Sequence, residues 1–558
     1  MKKIVVLLLN RIWFLYLATQ SILWKKKMKS AAQTQEKYLL TLLRKNTQTR
    51  FGREHLFWMI ESISAFQKLV PVRGYDEYST YIEDIEKGMM GVLTKDAVKH
   101  FGVSSGSTKA SKLIPYTPAL IKEFRKGINP WLWHLFKDNP KVLRGRSYWS
   151  ITPVGHELKY STGGIPIGFQ DERIYFDAFS RWILSKLLVV PSLVSTITDF
   201  DSFRYVTVLF LLKEKRLTWL SIWNPTFIML CLEPIEKHMP QLIKDIKHGT
   251  LSINLEAKVS KELLRYLKPD ASRAKELESL YEVWQGKVGT ISKGRTTFFE
   301  ELWPDLTLIS TWAHGEAGGS VITLQSYFPH ATVQPKGLIA TEAFVSFPIG
   351  NKLAALSCDS HFFEFLDQQG KLHLLHQLQI GKIYSVIVTT GGGFYRYQLH
   401  DLVKVEGYIG DCPLVSFLGR EDKVVDMCGE KLNETFVKQI VSDVFSECGC
   451  SPTFWMMAPE HIGSLSVSYK LFIQGGVYDH SILHRLAHAL EEKLKKNYHY
   501  NYCRNLNQLK PCNVFVIDAS LKPDEVYLQT CTKLGQRLGD IKFTRLHSYT
   551  KWSEEFTL

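Results

Sequence analysis

Ser104-Ser105-Gly106-Ser107-Thr108, followed by Lys112, lies within the run His100 to Thr117, whose pattern is strand, polar loop, strand. Such a loop turns hydroxyls and successive backbone N–H groups toward one anion, and Lys112 adds a point charge. Two distant stretches complete the pattern. Gly337-Leu338-Ile339 leads into Ala340-Thr341-Glu342, which puts a hydroxyl and a carboxylate at a strand end. Tyr395-Arg396 leads to Asp401 at the start of another strand-like run. In order, the three supply phosphate donors, a magnesium ligand and a ribose acceptor, the set needed to adenylate a carboxylic acid with ATP and Mg²⁺. Each has an ordinary alternative. The serine-glycine run and Gly391-Gly392-Gly393 also suit plain turns, Glu342 a solvated loop acid, and Asp401 a salt bridge with Arg396.

Working outward, the run Tyr148 to Phe299 mixes short apolar stretches (Tyr205 to Leu212, Trp219 to Leu232) with longer helical ones such as Ser260 to Gln285, which argues for an α/β fold. Residues 31–99 read as a helical lead-in, with Tyr75 to Lys87 a further helix beyond breaks at Pro71 and Gly74. Short strands are expected from Leu306 to Pro348, and at Ile383 to Thr390, Val403 to Tyr408 and Val415 to Leu418. The polar turn Gly419-Arg420-Glu421-Asp422 marks a boundary, so the expected parts are 1–30, 31–420 and 421–558.

At 558 residues, 45% apolar and 22% charged, the chain has the composition of a folded protein of two or more domains. The net charge of +14 suits nucleic acid, an anionic membrane or anionic small substrates alike. No zinc-finger spacing, ribonucleoprotein signature or long Lys/Arg block is present, so no nucleic-acid partner is expected. The nine cysteines lack CxxC pairs and sit mostly in apolar segments, as reduced thiols of a cytoplasmic protein do. Cys448 and Cys450 have no partner pair at zinc spacing.

Residues Ile4 to Trp24 are nearly long enough and apolar enough to span a bilayer, with lysines on both flanks. Arg11 near the centre of such a span costs about 2.5–3.5 kcal/mol, and Asn10, Gln20 and Ser21 add to it. A packed or interfacial helix is therefore an equal expectation, with membrane contact through this segment left open. Inserted, the heavier C-terminal lysine flank would hold the main body in the cytoplasm. Tyr148, Trp149, Trp223 and Trp312 are candidates to wall a pocket for an acyl tail, with core packing as their alternative.

These residues carry a resemblance. From about Gln35 to its end the chain resembles the Gretchen Hagen (auxin-responsive) family of acyl-acid amido synthetases, within the adenylate-forming superfamily. The matching elements are Val103 to Thr108 with Lys112-Leu113-Ile114-Pro115, then Gly337 to Glu342, then Thr389-Thr390 through Phe394-Tyr395-Arg396-Tyr397 to Asp401. Gly419 to Asp422 and Gly429-Glu430-Lys431-Leu432 follow, and Trp223-Asn224-Pro225, Thr311-Trp312, His499-Tyr500 and Tyr502-Cys503-Arg504 add to it. Two positions depart from the family's pattern: Lys109 and His400 stand where glycine is usual.

The resemblance implies a large N-terminal domain of β-sheets flanked by helices with a β-barrel-like portion, and a small mobile C-terminal α/β domain, with ATP between them. It implies that Ser104 to Thr108, Lys112, Ala340, Tyr395 and Arg420 serve the ATP site, that Thr341 contacts the α-phosphate, that Glu342 binds magnesium and that Asp401 binds the ribose. Lys542 occupies the region where a lysine steadies the adenylate. The implied substrates are a carboxylic acid and an amino acid or other amine, handled by a monomer that releases AMP and pyrophosphate. A thiol acceptor such as coenzyme A, and a non-catalytic nucleotide-binding or membrane-associated protein, remain as alternatives.

Overall fold

The structure, a computed structural model, describes residues 3–104, 112–150, 159–168, 172–223, 225–286, 298–313, 318–350, 353–420, 424–425, 427, 430, 432–462, 466–505, 509–536 and 541–557. The chain forms two compact units. The first comprises Met1–Ser104, Ser111–Leu399 and Val403–Phe417, and the second Ser105–Ala110, His400–Leu402 and Leu418–Leu558.

The first unit opens on α1 (Lys3–Met28), which buries Val6, Asn10, Trp13, Leu17, Ser21, Trp24 and Met28. Their spacing of three and four residues puts them on one helical stripe. That stripe lies on α3 (Pro118–Asp138) and α4 (Ala178–Leu187), with α2 (Ala31–Lys45) following α1 in the chain. One of the polar residues that argue against a membrane span is explained here. Asn10 Nδ2 donates to the carbonyls of Leu143 (3.0 Å) and Gly145 (2.9 Å), whereas Ser21, on the same buried stripe, finds no hydrogen-bond partner among the described residues. Asn10→Leu leaves both carbonyls without that donor, so a loss of about 1–3 kcal/mol is expected in urea unfolding. An unchanged midpoint would show that these bonds add nothing.

Strands β1 (His100–Ser104) and β2 (Lys112–Tyr116) pair antiparallel with Ser104 opposite Lys112, as the strand, loop, strand pattern predicts. A parallel sheet follows in the order β3 (Arg146–Trp149), β4 (Leu217–Ser221), β5 (Leu308–Thr311), β6 (Thr332–Pro335). Helices α5 (Phe200–Lys213) and α6 (Pro225–His248) occupy the crossover regions. The apolar run Tyr205 to Leu212 is thus helix, buried on nearly all sides, and the stretch Ser260 to Gln285 divides into α7 (Ala257–Leu264) and α8 (Ala271–Gly286) across Pro269.

A seven-stranded sheet follows: β7 (Ser346–Ile349), β8 (Leu353–Leu356), β9 (Phe362–Leu366), β10 (Leu372–Leu374), β11 (Ile383–Thr389), β12 (Tyr397–Ile409) and β13 (Cys412–Arg420). Its spatial order is β10-β9-β11-β12-β13-β8-β7, with no pairing between the end strands β10 and β7 among the described residues. The barrel-like portion therefore appears as a sheet with two ends. Along β12 buried and half-buried residues alternate, the mark of a strand with one face on the core. Core residues of this sheet, α1 and α3 form one cluster, and the helices around the parallel sheet form a second.

The second unit has its own core. Strands β14 (Phe454–Ile462), β15 (Ser466–Gln474) and β16 (Leu509–Val516) form its sheet, packed with α9 (Glu434–Cys448) and α10 (His480–Leu494). The mixture of helix and strand expected of an α/β chain is present in both units.

Candidate active site

Glu342 lies in a tight turn closed by the Ala340 N–H donating to the Ala343 carbonyl at 3.0 Å. Its side chain is buried, and Tyr397 Oη donates to Glu342 Oε1 at 3.3 Å. Tyr116 Oη donates to the Thr341 carbonyl at 2.6 Å, so two phenols hold the Thr341-Glu342 turn. A third phenol senses the carboxylate. Burial, then the Glu86 and Glu342 charges, push Tyr75 up to about 12. Burial, Tyr175 and Glu342 likewise drive Tyr116 well above the usual phenol range. Lys112 Nζ stands 5.5 Å from the centre of the Tyr75 ring, and that ring's hydroxyl bonds the backbone of Leu113. The structure thus gathers Lys112, Thr341 and Glu342 around tyrosines of the first unit. Ser104 ends β1, whereas Ser105 to Thr108 and Lys109 lie outside the described residues.

A single buried carboxylate is a hard-oxygen group of the kind that Mg²⁺ accepts alongside water and phosphate oxygens.

A brace absent from the sequence reading holds the surrounding loops. The Phe344 N–H donates to His361 Nε2 at 3.0 Å, so that nitrogen is the acceptor and the proton belongs on Nδ1, 3.0 Å from Glu123 Oε2. Glu123 also accepts from Tyr38 Oη (2.7 Å) and from the Gly391 N–H (2.9 Å). A Cβ at Gly391 would come within 2.4 Å of Glu123 Oε1, which is why the glycine run passes so close to α3. One carboxylate and one imidazole therefore join the segment after Glu342 to the turn before Tyr395. No local pattern in the sequence signals this, because the partners lie 238 residues apart.

Arg396 takes a left-handed conformation (φ 55°) and is buried, with its guanidinium paired to Glu364 at 2.8 and 3.0 Å and bonded to the carbonyls of Gln67 (3.0 Å) and Val70 (2.6 Å). Its acidic partner is Glu364, not Asp401. An acid inside the apolar strand Phe362-Phe363-Glu364-Phe365 was the available signal. Tyr395 is fully buried, donating its hydroxyl to the Leu93 carbonyl at 2.8 Å and stacking on Phe51.

In the second unit Asp401 is buried, 3.6 Å from Arg420 Nη1. The preceding His400 has φ 61°, a left-handed backbone that glycine adopts at no steric cost, which supplies the physical reason for the usual glycine there. Lys542 has an exposed side chain, and its backbone carbonyl accepts from Tyr527 Oη at 3.2 Å. Glu430, within the matched segment 429–432, is buried and accepts from the Met427 N–H (2.8 Å) and from Tyr469 Oη.

The C-terminal ends of the parallel strands, the usual ligand edge of such sheets, carry Trp149, Trp223, Trp312 and Lys336. Trp223 and Trp312 pack edge to face at 5.6 Å. Buried Lys336, which the sequence reading did not single out, places Nζ 4.3 Å from the Trp223 ring centre and donates to Ser221 Oγ at 3.1 Å. Tyr148 and Trp149 are consecutive strand residues and point to opposite faces, Tyr148 into the helix-lined core and Trp149 against Trp219 and Phe176.

Comparisons with known proteins agree with this architecture. The chain is 24% identical over 454 residues to the indole-3-acetic acid-amido synthetase GH3.15 of Arabidopsis thaliana, covering 74% of this chain and 71% of that protein. It is 23% identical over 446 residues to the jasmonoyl–L-amino acid synthetase JAR6 of Nicotiana attenuata, covering 73% and 72%. The fold matches the solved structure of the Arabidopsis GH3.15 acyl acid amido synthetase in complex with 2,4-DB with a TM-score of 0.80 at 18% identity, over 97% of this chain and 95% of that one. The family expected from the three motifs is the one whose domains match: the GH3 family N-terminal domain over residues 23–333 and the GH3 family central domain over residues 354–420. This chain belongs to the GH3 family.

Proposed function

We propose that the protein is a ligase that adenylates a carboxylic acid with ATP and passes the acyl group to the amine of an amino acid. The observation that carries this reading is Glu342, a buried carboxylate bonded by Tyr397 in the turn that Tyr116 holds at Thr341, in a chain whose family relatives are named amido synthetases.

A carboxylate is too electron-rich to be attacked by an amine, so its oxygen first attacks the α-phosphorus of ATP. The bond to pyrophosphate breaks and an acyl-AMP forms. Lys112 and the Ser104 to Thr108 loop hold the phosphates, Thr341 positions the α-phosphate, and Asp401 accepts the ribose hydroxyls. Glu342 would hold Mg²⁺, which neutralises charge on the departing pyrophosphate when bound. The amine nitrogen then attacks the acyl carbon, the C–O bond to AMP breaks, and the amine loses a proton. Trp149, Trp223 and Trp312, with Lys336, wall the acyl side.

We assign adenylation to residues 31–420, and to 421–558 a mobile role that turns at Arg420 to Asp422 between the two half-reactions, with Lys542 steadying the adenylate. The described cysteines form no disulfide with one another, which suits a cytoplasmic site of action. We assign the reaction to a monomer.

Acid-dependent ATP–pyrophosphate exchange tests this directly. Wild type, given a pool of aromatic and aliphatic acids with Mg²⁺, should exchange label, and Asp401→Ala should lose most of it. ATP binding without exchange across a broad acid pool would overturn the proposal.

A further inference from the structure

We propose that the outer face of α1 docks the protein on an anionic membrane surface, with the helix lying in the interface and its inner face kept on the fold. Ile4, Leu8, Leu15 and Ile22 form an exposed ridge, flanked by Val5, Ile12 and Leu23, each between 42% and 70% exposed. At about 100° per residue these positions fall within roughly a third of the helix circumference, opposite the buried stripe of Val6, Trp13, Leu17 and Trp24. The apolar surface continues onto α4, where Phe179 packs on Tyr16 at 5.0 Å and Trp182, 53% exposed, stacks beside Phe179 at 6.4 Å. An exposed tryptophan bordering an apolar ridge is the side chain that settles at headgroup depth.

Charge chooses the occupant. Helix α1 carries no acidic residue, and Lys3, Arg11 and Lys26 on it are exposed, as are Arg181 and Lys186 on α4, whereas Lys27 is paired with Asp359 at 2.8 Å and Lys25 Nζ lies 4.5 Å from the Trp133 ring centre. A second copy meeting this face would set lysines against lysines with no acid on the helix to pair them, whereas anionic headgroups complement the rim and lipid tails the ridge. Arg11, at the edge of the ridge, can reach headgroup phosphates along its aliphatic stem.

The seat of α1 also decides between lying on a bilayer and crossing one. A spanning helix would have to surrender both Asn10 hydrogen bonds, the Trp13 Nε1 to Ser180 Oγ bond at 3.2 Å, and the packing of Trp24 on Phe347 at 5.0 Å. Lying flat covers the ridge and keeps all of them.

Flotation of the full chain with phosphatidylcholine vesicles, and with phosphatidylcholine–phosphatidylserine vesicles, tests this. The protein should float with the anionic vesicles, release with rising salt and be stripped by alkaline carbonate. Leu8→Glu/Leu15→Glu should lower the bound fraction at least about tenfold, with thermal unfolding unchanged because both side chains are exposed. Trp182→Ala, on a separate helix, should weaken binding by about threefold or more. The proposal fails if neither vesicle floats the protein, if carbonate leaves it embedded, or if both variants float like wild type. It fails equally if the Glu variant abolishes self-association while vesicle binding is absent.

Discussion

Glu342→Gln is expected to lower acid-dependent ATP–pyrophosphate exchange by about 10²–10³-fold, the loss typical when one preorganised electrostatic group is removed from a charge-developing step. Glutamine keeps an oxygen for the Tyr397 hydroxyl, 3.3 Å from the native carboxylate, and Tyr116 still holds the Thr341 carbonyl, so the turn should keep its shape. Only the charge is lost. Chelation of Mg²⁺ should abolish wild-type exchange, and the variant should need far more metal to recover a given rate, because water and phosphate would then be the remaining ligands. Unchanged exchange with an unchanged Mg²⁺ dependence would remove Glu342 from the site. A fall in melting temperature matching the loss of rate would make its role structural.

The second large effect is on stability. Glu364→Ala leaves the Arg396 guanidinium buried without its carboxylate, and removing one partner of such a pair costs about 3–5 kcal/mol. Arg396→Met should cost a similar amount by orphaning Glu364. Replacing both together removes both charges, so the double variant should lose much less stability than the sum of the two single losses. Urea unfolding of the three variants and wild type gives the coupling. Additive losses would show that the pair is not the source of the effect. Gln67 Nε2 also donates to Glu364 Oε1 at 2.8 Å, which helps order the carboxylate but carries no charge to replace the guanidinium.

Much of the site is continuous in sequence and therefore legible there. Ser104 and Lys112 flank one hairpin loop, and Thr341-Glu342 and Tyr395 to Asp401 are short segments whose chemistry is carried by residue type and order. What fell outside that reading was long-range. The Glu123–His361 brace and the Arg396–Glu364 pair join residues far apart in the chain, and no local pattern names a partner. Lys336 follows β6, two strands away in the sheet order from β4, which leads to Trp223, so its place beside Trp223 follows from sheet assembly alone. Periodicity also misleads where burial is complete. Tyr205 to Leu212 is apolar on every side because α5 is enclosed by the second core, and a fully buried helix has no polar face to mark its period.

By itself the sequence determined the family, the α/β class and the order of the nucleotide-site motifs, since these rest on residue identity over short spans. It determined too that residues 4–24 form an apolar segment interrupted by Asn10, Arg11 and Ser21. Only the tertiary structure decided what those interruptions mean. The Leu143 and Gly145 carbonyls face Asn10, which turns a polar defect into an anchor and leaves the opposite face to solvent. In the same way it decided that Arg396 answers Glu364, leaving Asp401 beside Arg420. A polar residue states what it requires, but only the fold brings up the group that supplies it.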